Sequence, residues 1–386
     1  MNEKIQELKK LLGESDELEI ENLELEVDEL VLNLRTRVLA EAIKQKRKKI
    51  EAFRFTPPSE EYKGRISEVT LGATKADGGT RSHSLTIGGE TSPPYYFFES
   101  KQVNKPVISQ DIFDMPLSLP GHVREHFPDV MEDPAEWARY RVKKYNAEMI
   151  TLHMVSTDPT VKDVSVKDAC KIIEDVLQAV KVPIVIGGSG NPRKDPELLE
   201  KAAEICSGEK IILSTVDPDM DYKRVAKAAL KHDHSVLSLI SMNPDEMRRL
   251  NRNLMKQGLT PEHMLMDLFT GGIGYGLEYS ISAMERCRLA GLKGDKNLGL
   301  PMVSATSNAW SAREAWMRND AWGPREWRGP LWESTTAAIA LLSGANLFMM
   351  LHPKSIETMN GIIDSLSTLK DIDETKETNY PEWINI

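Results

Sequence analysis

The sequence predicts an α/β protein: a TIM (β/α)8 barrel with an N-terminal α+β appendage and a β-hairpin before the barrel. Two observations predict it. Eight short apolar runs recur after Pro106, each followed by an amphipathic stretch of helical length. The runs are apolar throughout rather than alternating, as strands buried on both faces are, and the units span about 260 residues, the size of an eightfold barrel.

Residues 1–56 form the expected appendage. After a short amphipathic helix, Leu18, Ile20, Leu23, Leu25, Val27, Leu30 and Leu32 repeat nearer to period two than to 3.6, which reads as short strands, and a basic helix follows from Arg35 to Ala52. "FTPPSEEYKG" interrupts with two prolines and sets the boundary. In the entry segment, 57–105, the runs Ile66–Leu71 and His83–Ile87 flank a turn-forming stretch, Ala76–Thr80, and predict a hairpin able to plug the closed end of the barrel.

The barrel is expected over 106–370, with a tail at 371–386. Its strand candidates are Val107–Ile112, Met149–Val155, Val182–Ile186, Lys210–Thr215, Ser235–Ile240, Met264–Phe269, Pro301–Ala305 and Leu347–Leu351. Between them, "DPAEWARYRVKKY" at 133 and "DPELLEKAAE" at 195 each offer an aspartate cap before a proline in the first helical turn.

Composition narrows the function. The 386 residues hold 59 acidic against 49 basic side chains, a formal charge of -10 spread along the chain, which argues against nucleic acid as a partner. Cys170, Cys206 and Cys287 lie too far apart for a disulfide framework and form no C-x-x-C pair from which to build a zinc or iron–sulfur site. A charged N-terminus and the lack of an eighteen-residue apolar run predict a cytoplasmic protein that engages no membrane.

"FTGGIGYGLEYS" at 269–280 follows a strand and enters a helix, but Gly272, Gly274 and Gly276 give G-x-G-x-G, not the G-x-G-x-x-G of a dinucleotide fingerprint. In a barrel this is the loop after the sixth strand, where ligands are met. Its glycines serve either a tight turn or close approach to a ligand. The other loops at that end bring Gln110, Asp111 and Asp114; His153, Ser156 and Asp158; Ser189 and Asn191; Asp217 and Asp219; Ser241 and Asn243; Thr306, Ser307 and Asn308; and His352. A histidine ending an apolar strand, such as His153 or His352, is as readily a hydrogen-bonded structural group as a ligand. Asp217 and Asp219 read first as a cap and turn. Trp310, Trp316, Trp322, Trp327 and Trp332 crowd into 23 residues of a chain with seven tryptophans, which suits either helix–barrel packing or a partner surface.

Six strings carry a resemblance: "GGETSPPYYFFE" at 88, "PVISQDIFD" at 106, "DPAEWA" at 133, "GGSGNPRKD" at 187, "DLFTGGIGYGLEYSISAMERCRLAGLKGDK" at 267 and "RGPLWESTTAAIALLSGANLFMMLHP" at 328. In order and spacing the chain, over nearly all of 60–370, resembles the small, delta subunit of the corrinoid iron–sulfur protein of the archaeal acetyl-CoA decarbonylase/synthase complex. The resemblance implies a non-catalytic or auxiliary barrel subunit paired with a large gamma subunit that carries the corrinoid (cobamide) and the iron–sulfur cluster, with no such cluster in this chain. It further implies a methyl group carried on cobalt between a tetrahydropterin and the nickel site of the acetyl-CoA synthase (beta) subunit, alongside the CO dehydrogenase (alpha and epsilon) subunits. Under it, the expected corrinoid-contacting residues are Gln110, His153, Ser189, Asn191, Thr270, Gly271, Gly272, Tyr275, Thr306 and Asn308, with no catalytic or metal-ligating residue. Two alternatives stand beside it: a self-sufficient pterin-dependent methyltransferase drawing on Asp111, Asp217 and Asn191, and a purely structural subunit.

Overall fold

A computed structural model describes residues 58–100 and 102–368, with residue 10 besides. The expected helices and strands of 1–56 and the tail at 371–386 lie outside the described residues. The chain divides into two compact units, Met1–Pro58 and Ser59–Ile386, and the barrel belongs to the second.

Eight parallel strands close a barrel. They are β3 (Val107–Phe113), β4 (Ile150–His153), β5 (Ile184–Gly187), β6 (Ile212–Val216), β7 (Ser235–Leu239), β8 (Met264–Asp267), β9 (Met302–Ala305) and β10 (Ala345–Met350), in the order β10-β3-β4-β5-β6-β7-β8-β9. All eight expected strands are present. Closure is made by β10 against β3, with Leu347 opposite Val107 and Met350 opposite Gln110.

The helices between them are α1 (Gly121–Arg124), α2 (Pro134–Tyr145), α3 (Val166–Ala179), α4 (Asp195–Ile205), α5 (Tyr222–His232), α6 (Pro244–Lys256), α7 (Leu277–Leu292), α8 (Arg313–Trp316), α9 (Arg325–Leu342) and α10 (Pro353–Thr368). Asp133 caps α2 as its sequence predicts, accepting from the Ala135 and Glu136 amides. Asp195 does not cap. It is the first residue of α4, and its carboxylate turns back to take the Ser189 and Gly190 amides and the Ser189 hydroxyl. The loop after β5 needs those donors satisfied more than the helix does, because its amides have no sheet partner.

Alternation along each strand sorts side chains into two layers. Ile108, Ile112, Ile150, Leu152, Met264 and Met266 face the helices, where most of the core lies. Val107, Met149, Val185, Ile212, Leu237, Leu265, Val303 and Leu347 face inward and form a separate apolar cluster. Val69, Leu71 and Ile87 of the antiparallel hairpin β1 (Val69–Leu71) and β2 (Leu85–Ile87) belong to that inner cluster, so the hairpin plugs the barrel beneath its strand N-termini. Each such buried side chain contributes about 1.5–3 kcal/mol.

Two buried arginines fasten the plug. Arg81 donates to the Glu209 carboxylate at 2.8 Å, to the Val180, Val182 and Leu177 carbonyls and to the Thr80 hydroxyl. Arg288 of α7 reaches Glu90 at 3.0 Å, Asn346 at 2.8 Å and the Gly344 carbonyl, while Asn346 donates to Glu90.

Candidate functional site

The opposite end is open, and inward-facing polar groups accumulate there. On β3 the inward positions above Val107 are Ser109 and Asp111; on β4 those above Met149 are Thr151 and His153; on β8 the one above Leu265 is Asp267. Ser109 and Thr151 hydroxyls pair at 2.6 Å. Asp111 is fully buried, and neither carboxylate oxygen accepts a hydrogen bond from a described residue. His153 Nε2 stands 3.1 Å from Asp111 Oδ1, close enough for ion pairing but out of line for a hydrogen bond, and the imidazole side chain is 25% exposed. Its ring stacks on Phe113 at 5.1 Å. Gly187 on β5 supports the other side: a Cβ there would lie 3.2 Å from His153 Nδ1.

Asp267 is 4% exposed and accepts the Phe269 amide at 2.8 Å. Burial pushes its carboxyl up to about 7, because little but that one amide compensates the charge. Two acidic groups and one imidazole therefore face the inside of one mouth.

The ten expected contact residues divide sharply. Gln110 is corrected: it sits on the helix-facing side of β3, where its amide donates to the Tyr145 carbonyl and its carbonyl oxygen lies 3.4 Å from Arg141. Strand alternation sends it outward while its neighbour Asp111 points in. Thr270 is buried against the Ser304 hydroxyl, and Asn308 donates to the Thr270 carbonyl, so the loops after β8 and β9 are tied to each other. Buried Thr306 ties β9 to β10 through the Met349 carbonyl. Ser189 binds Asp195, and Asn191 accepts from the Arg193 and Lys194 amides. Gly271 and Gly272 are buried; a Cβ would meet the Tyr275 carbonyl oxygen at 2.6 Å within the loop and, from Gly272, Ala309 Cα at 3.1 Å in the loop after β9. Tyr275 is exposed, with its hydroxyl donating to Glu314. Of the ten, Tyr275 is exposed and His153, Ser189, Asn191 and Asn308 are half-buried, the last three with polar atoms bonded within the loops.

Other rim groups follow their plainer readings. Asp217 accepts from the Asp219 and Met220 amides. His352 is buried against Trp310 and His126, and burial beside those histidines drives its imidazole down to about 3. Asp114 holds the Ser156 amide and hydroxyl. The tryptophans differ in exposure. Trp310 packs inside and Trp332 donates to the Ile273 carbonyl, whereas Trp316, Trp322 and Trp327 are exposed, the last two with Arg328 and Lys354 over their rings.

Sequence reasoning overlooked Phe113 and Asp267. Ser109, Gln110 and Asp111 are polar in succession, so no alternation marks the inward side, and Phe113 packs on Trp137 as well as on His153.

Comparison with known proteins bears on this arrangement. The profile of the CO dehydrogenase/acetyl-CoA synthase delta subunit family matches residues 68–319. The acetyl-CoA decarbonylase/synthase complex subunit delta of Methanocaldococcus jannaschii is 45% identical, covering 97% of this chain and 95% of that one. Its counterpart in Archaeoglobus fulgidus is 49% identical over 81% of this chain and 71% of its own length. Among solved structures, Xanthomonas albilineans dihydropteroate synthase with 4-aminobenzoic acid aligns at a TM-score of 0.49 and 13% identity, covering 70% of this chain and 95% of that one.

Proposed function

The chain belongs to the CO dehydrogenase/acetyl-CoA synthase delta subunit family, and from that membership we propose that it is the barrel subunit of a corrinoid iron–sulfur protein within an acetyl-CoA decarbonylase/synthase complex. A large gamma subunit carries the corrinoid and the iron–sulfur cluster, and the mouth of this barrel covers one face of the corrinoid. The bound corrinoid supplies the centre that takes and gives a methyl group between a tetrahydropterin and the nickel site of the beta subunit. The alpha and epsilon CO dehydrogenase subunits complete the assembly, and this chain helps to hold it together.

The observation that carries this reading is the near full-length identity to delta subunits. The mouth is compatible with it. Phe269 and Tyr275 expose flat rings beside the loop after β8, a surface suited to a broad planar ligand. Thr270, Thr306, Ser189, Asn191 and Asn308 hold the loops in shape, which makes the rim a pre-formed surface. Trp316, Trp322 and Trp327 extend the exposed aromatic area towards a protein partner.

One observation favours a second reading. Two inward carboxylates, Asp111 and Asp267, could receive the N–H groups of a pterin directly, as a self-sufficient methyltransferase would require. Purification of the chain alone and with its gamma subunit separates the two. The first reading expects a colourless, inactive single chain and a heterodimer with corrinoid absorbance. Methyl transfer from a methylated tetrahydropterin to free cobalamin by the single chain would replace it with the second.

A further inference from the structure

The mouth contains one arrangement that covering a corrinoid does not require. A fully buried carboxylate with both oxygens lacking hydrogen bonds is a destabilising feature. Asp111 stands 3.1 Å from His153 and also feels the buried Arg141 guanidinium, which donates to its backbone carbonyl; His153 lies between it and the open end. The imidazole is held on three sides, by Asp111, by the Phe113 ring and by the bare backbone of Gly187, and shows a quarter of its side chain to the mouth. A carboxylate behind an imidazole fixes the ring's orientation and provides a counter-ion when the ring carries two protons.

The proposed methyl transfer has a chemical need that matches. When an N-methyl bond of a tertiary amine breaks, its electron pair stays on nitrogen, and the resulting amide anion is far too basic to leave in water. A proton must reach that nitrogen as the bond breaks.

Resting on the function proposed above, we propose that His153 is the acid–base group of methyl transfer from the amine donor, with Asp111 as the positioning residue behind it. Doubly protonated His153 gives a proton to the amine nitrogen: the N–C bond breaks, an N–H bond forms, and the imidazole becomes neutral. The reduced corrinoid, when bound by the gamma subunit, would supply the two-electron nucleophile that accepts the methyl group without the bond's electrons. In reverse, neutral His153 takes the proton from the secondary amine as the methyl returns. Other titratable groups of the mouth are less suited. Asp114 and Asp195, from the adjoining loops, are engaged by Ser156 and by Ser189 and Gly190. Asp267, on β8, is 4% exposed against 25% for the His153 side chain.

The test uses the assembled heterodimer with its corrinoid reduced, and compares two methyl donors by stopped-flow absorbance. Methyl iodide releases iodide and needs no proton; a methyl-tetrahydropterin needs one. His153→Gln should slow transfer from the methyl-tetrahydropterin by about 10²–10⁴-fold and remove the fall in rate expected of the wild type as pH rises, while the methyl iodide rate falls by far less. Equal loss with both donors, or loss with neither, overturns the proposal. A wild-type heterodimer that accepts methyl from neither donor overturns instead the function on which it rests. A second measurement stands even if that variant fails to assemble: in the 15N NMR titration of His153, Asp111→Asn must move the midpoint, and an unmoved midpoint removes Asp111 from the role.

Discussion

The two ends of this barrel treat buried charge in opposite ways. At the closed end Arg81 donates to five acceptors, and Arg288, Glu90 and Asn346 satisfy one another around the start of β10. At the open end Asp111 is as deeply buried as Arg81 and its carboxylate accepts no hydrogen bond, and that of Asp267 accepts one. A buried charge costs free energy unless it is paired. The closed end therefore reads as built for stability, and the open end as bearing a stability cost that a ligand or a reaction would offset.

The contrast is sharpest in mutation. Arg81→Ala strands Glu209 in a site where its carboxylate is nearly buried, and should lower unfolding free energy by about 3–5 kcal/mol, measured by urea denaturation. A loss below about 1 kcal/mol would mean that the closed end is not the anchor.

The next largest effect is in pH. The Asp267 carboxyl is raised from 3.8 to about 7 by burial, so between those values the folded chain binds a proton that the unfolded chain has released. The contribution of Asp267 to stability is thus greatest below pH 3.8 and is lost as pH rises to about 7. His352, lowered to about 3, acts in the opposite sense by losing stability as pH falls below 6.5. Melting temperature against pH, compared with Asp267→Asn, isolates the first effect: the variant should gain stability relative to wild type as pH rises towards 7. Parallel curves would show that Asp267 is ordinarily solvated.

Asp111→Asn replaces a buried carboxylate that accepts no hydrogen bond, and folding stability should change by less than about 1 kcal/mol or rise. A loss as large as that of Arg81→Ala would erase the distinction between the two ends. The smallest effect is expected at the surface. Tyr275→Phe removes the bond to Glu314 and should stay within about 0.5 kcal/mol of wild type.

Much of the fold was legible in the sequence because a buried parallel strand and an amphipathic helix leave different apolar periods, and eight pairs of them leave little choice of architecture. The hairpin was legible from Ala76–Thr80, a turn stretch between two strand-like runs. The mouth was legible by loop but not by side chain. Gln110 and Asp111 are adjacent, and which of them points inward depends on strand phase, which a run apolar on both faces does not advertise. Gly271 and Gly272 suggested a ligand because glycine permits close approach; the sequence could not show that their own loop and Ala309 of the next one also come that close. Thr270, Thr306, Ser189 and Asn308 are polar residues in polar loops, and only coordinates distinguish one that meets solvent from one that ties two loops together. The cap at Asp195 failed for a related reason: a carboxylate next to a helix start can serve the preceding turn as well as the helix.

A ring has no terminal strand, and here its last joint is made by residues far apart in the chain. Leu347 lies across from Val107, so a growing polypeptide carries an unclosed sheet, with two bare edges, until nearly all of the described residues have been made. The plug hairpin, which precedes every barrel strand, is available throughout that interval as an apolar seat on which the early strands can gather. Its position in the chain thus makes it a candidate scaffold for assembly as well as a stopper. A hairpin variant such as Leu71→Asp should therefore slow refolding by more than its effect on equilibrium stability alone would suggest.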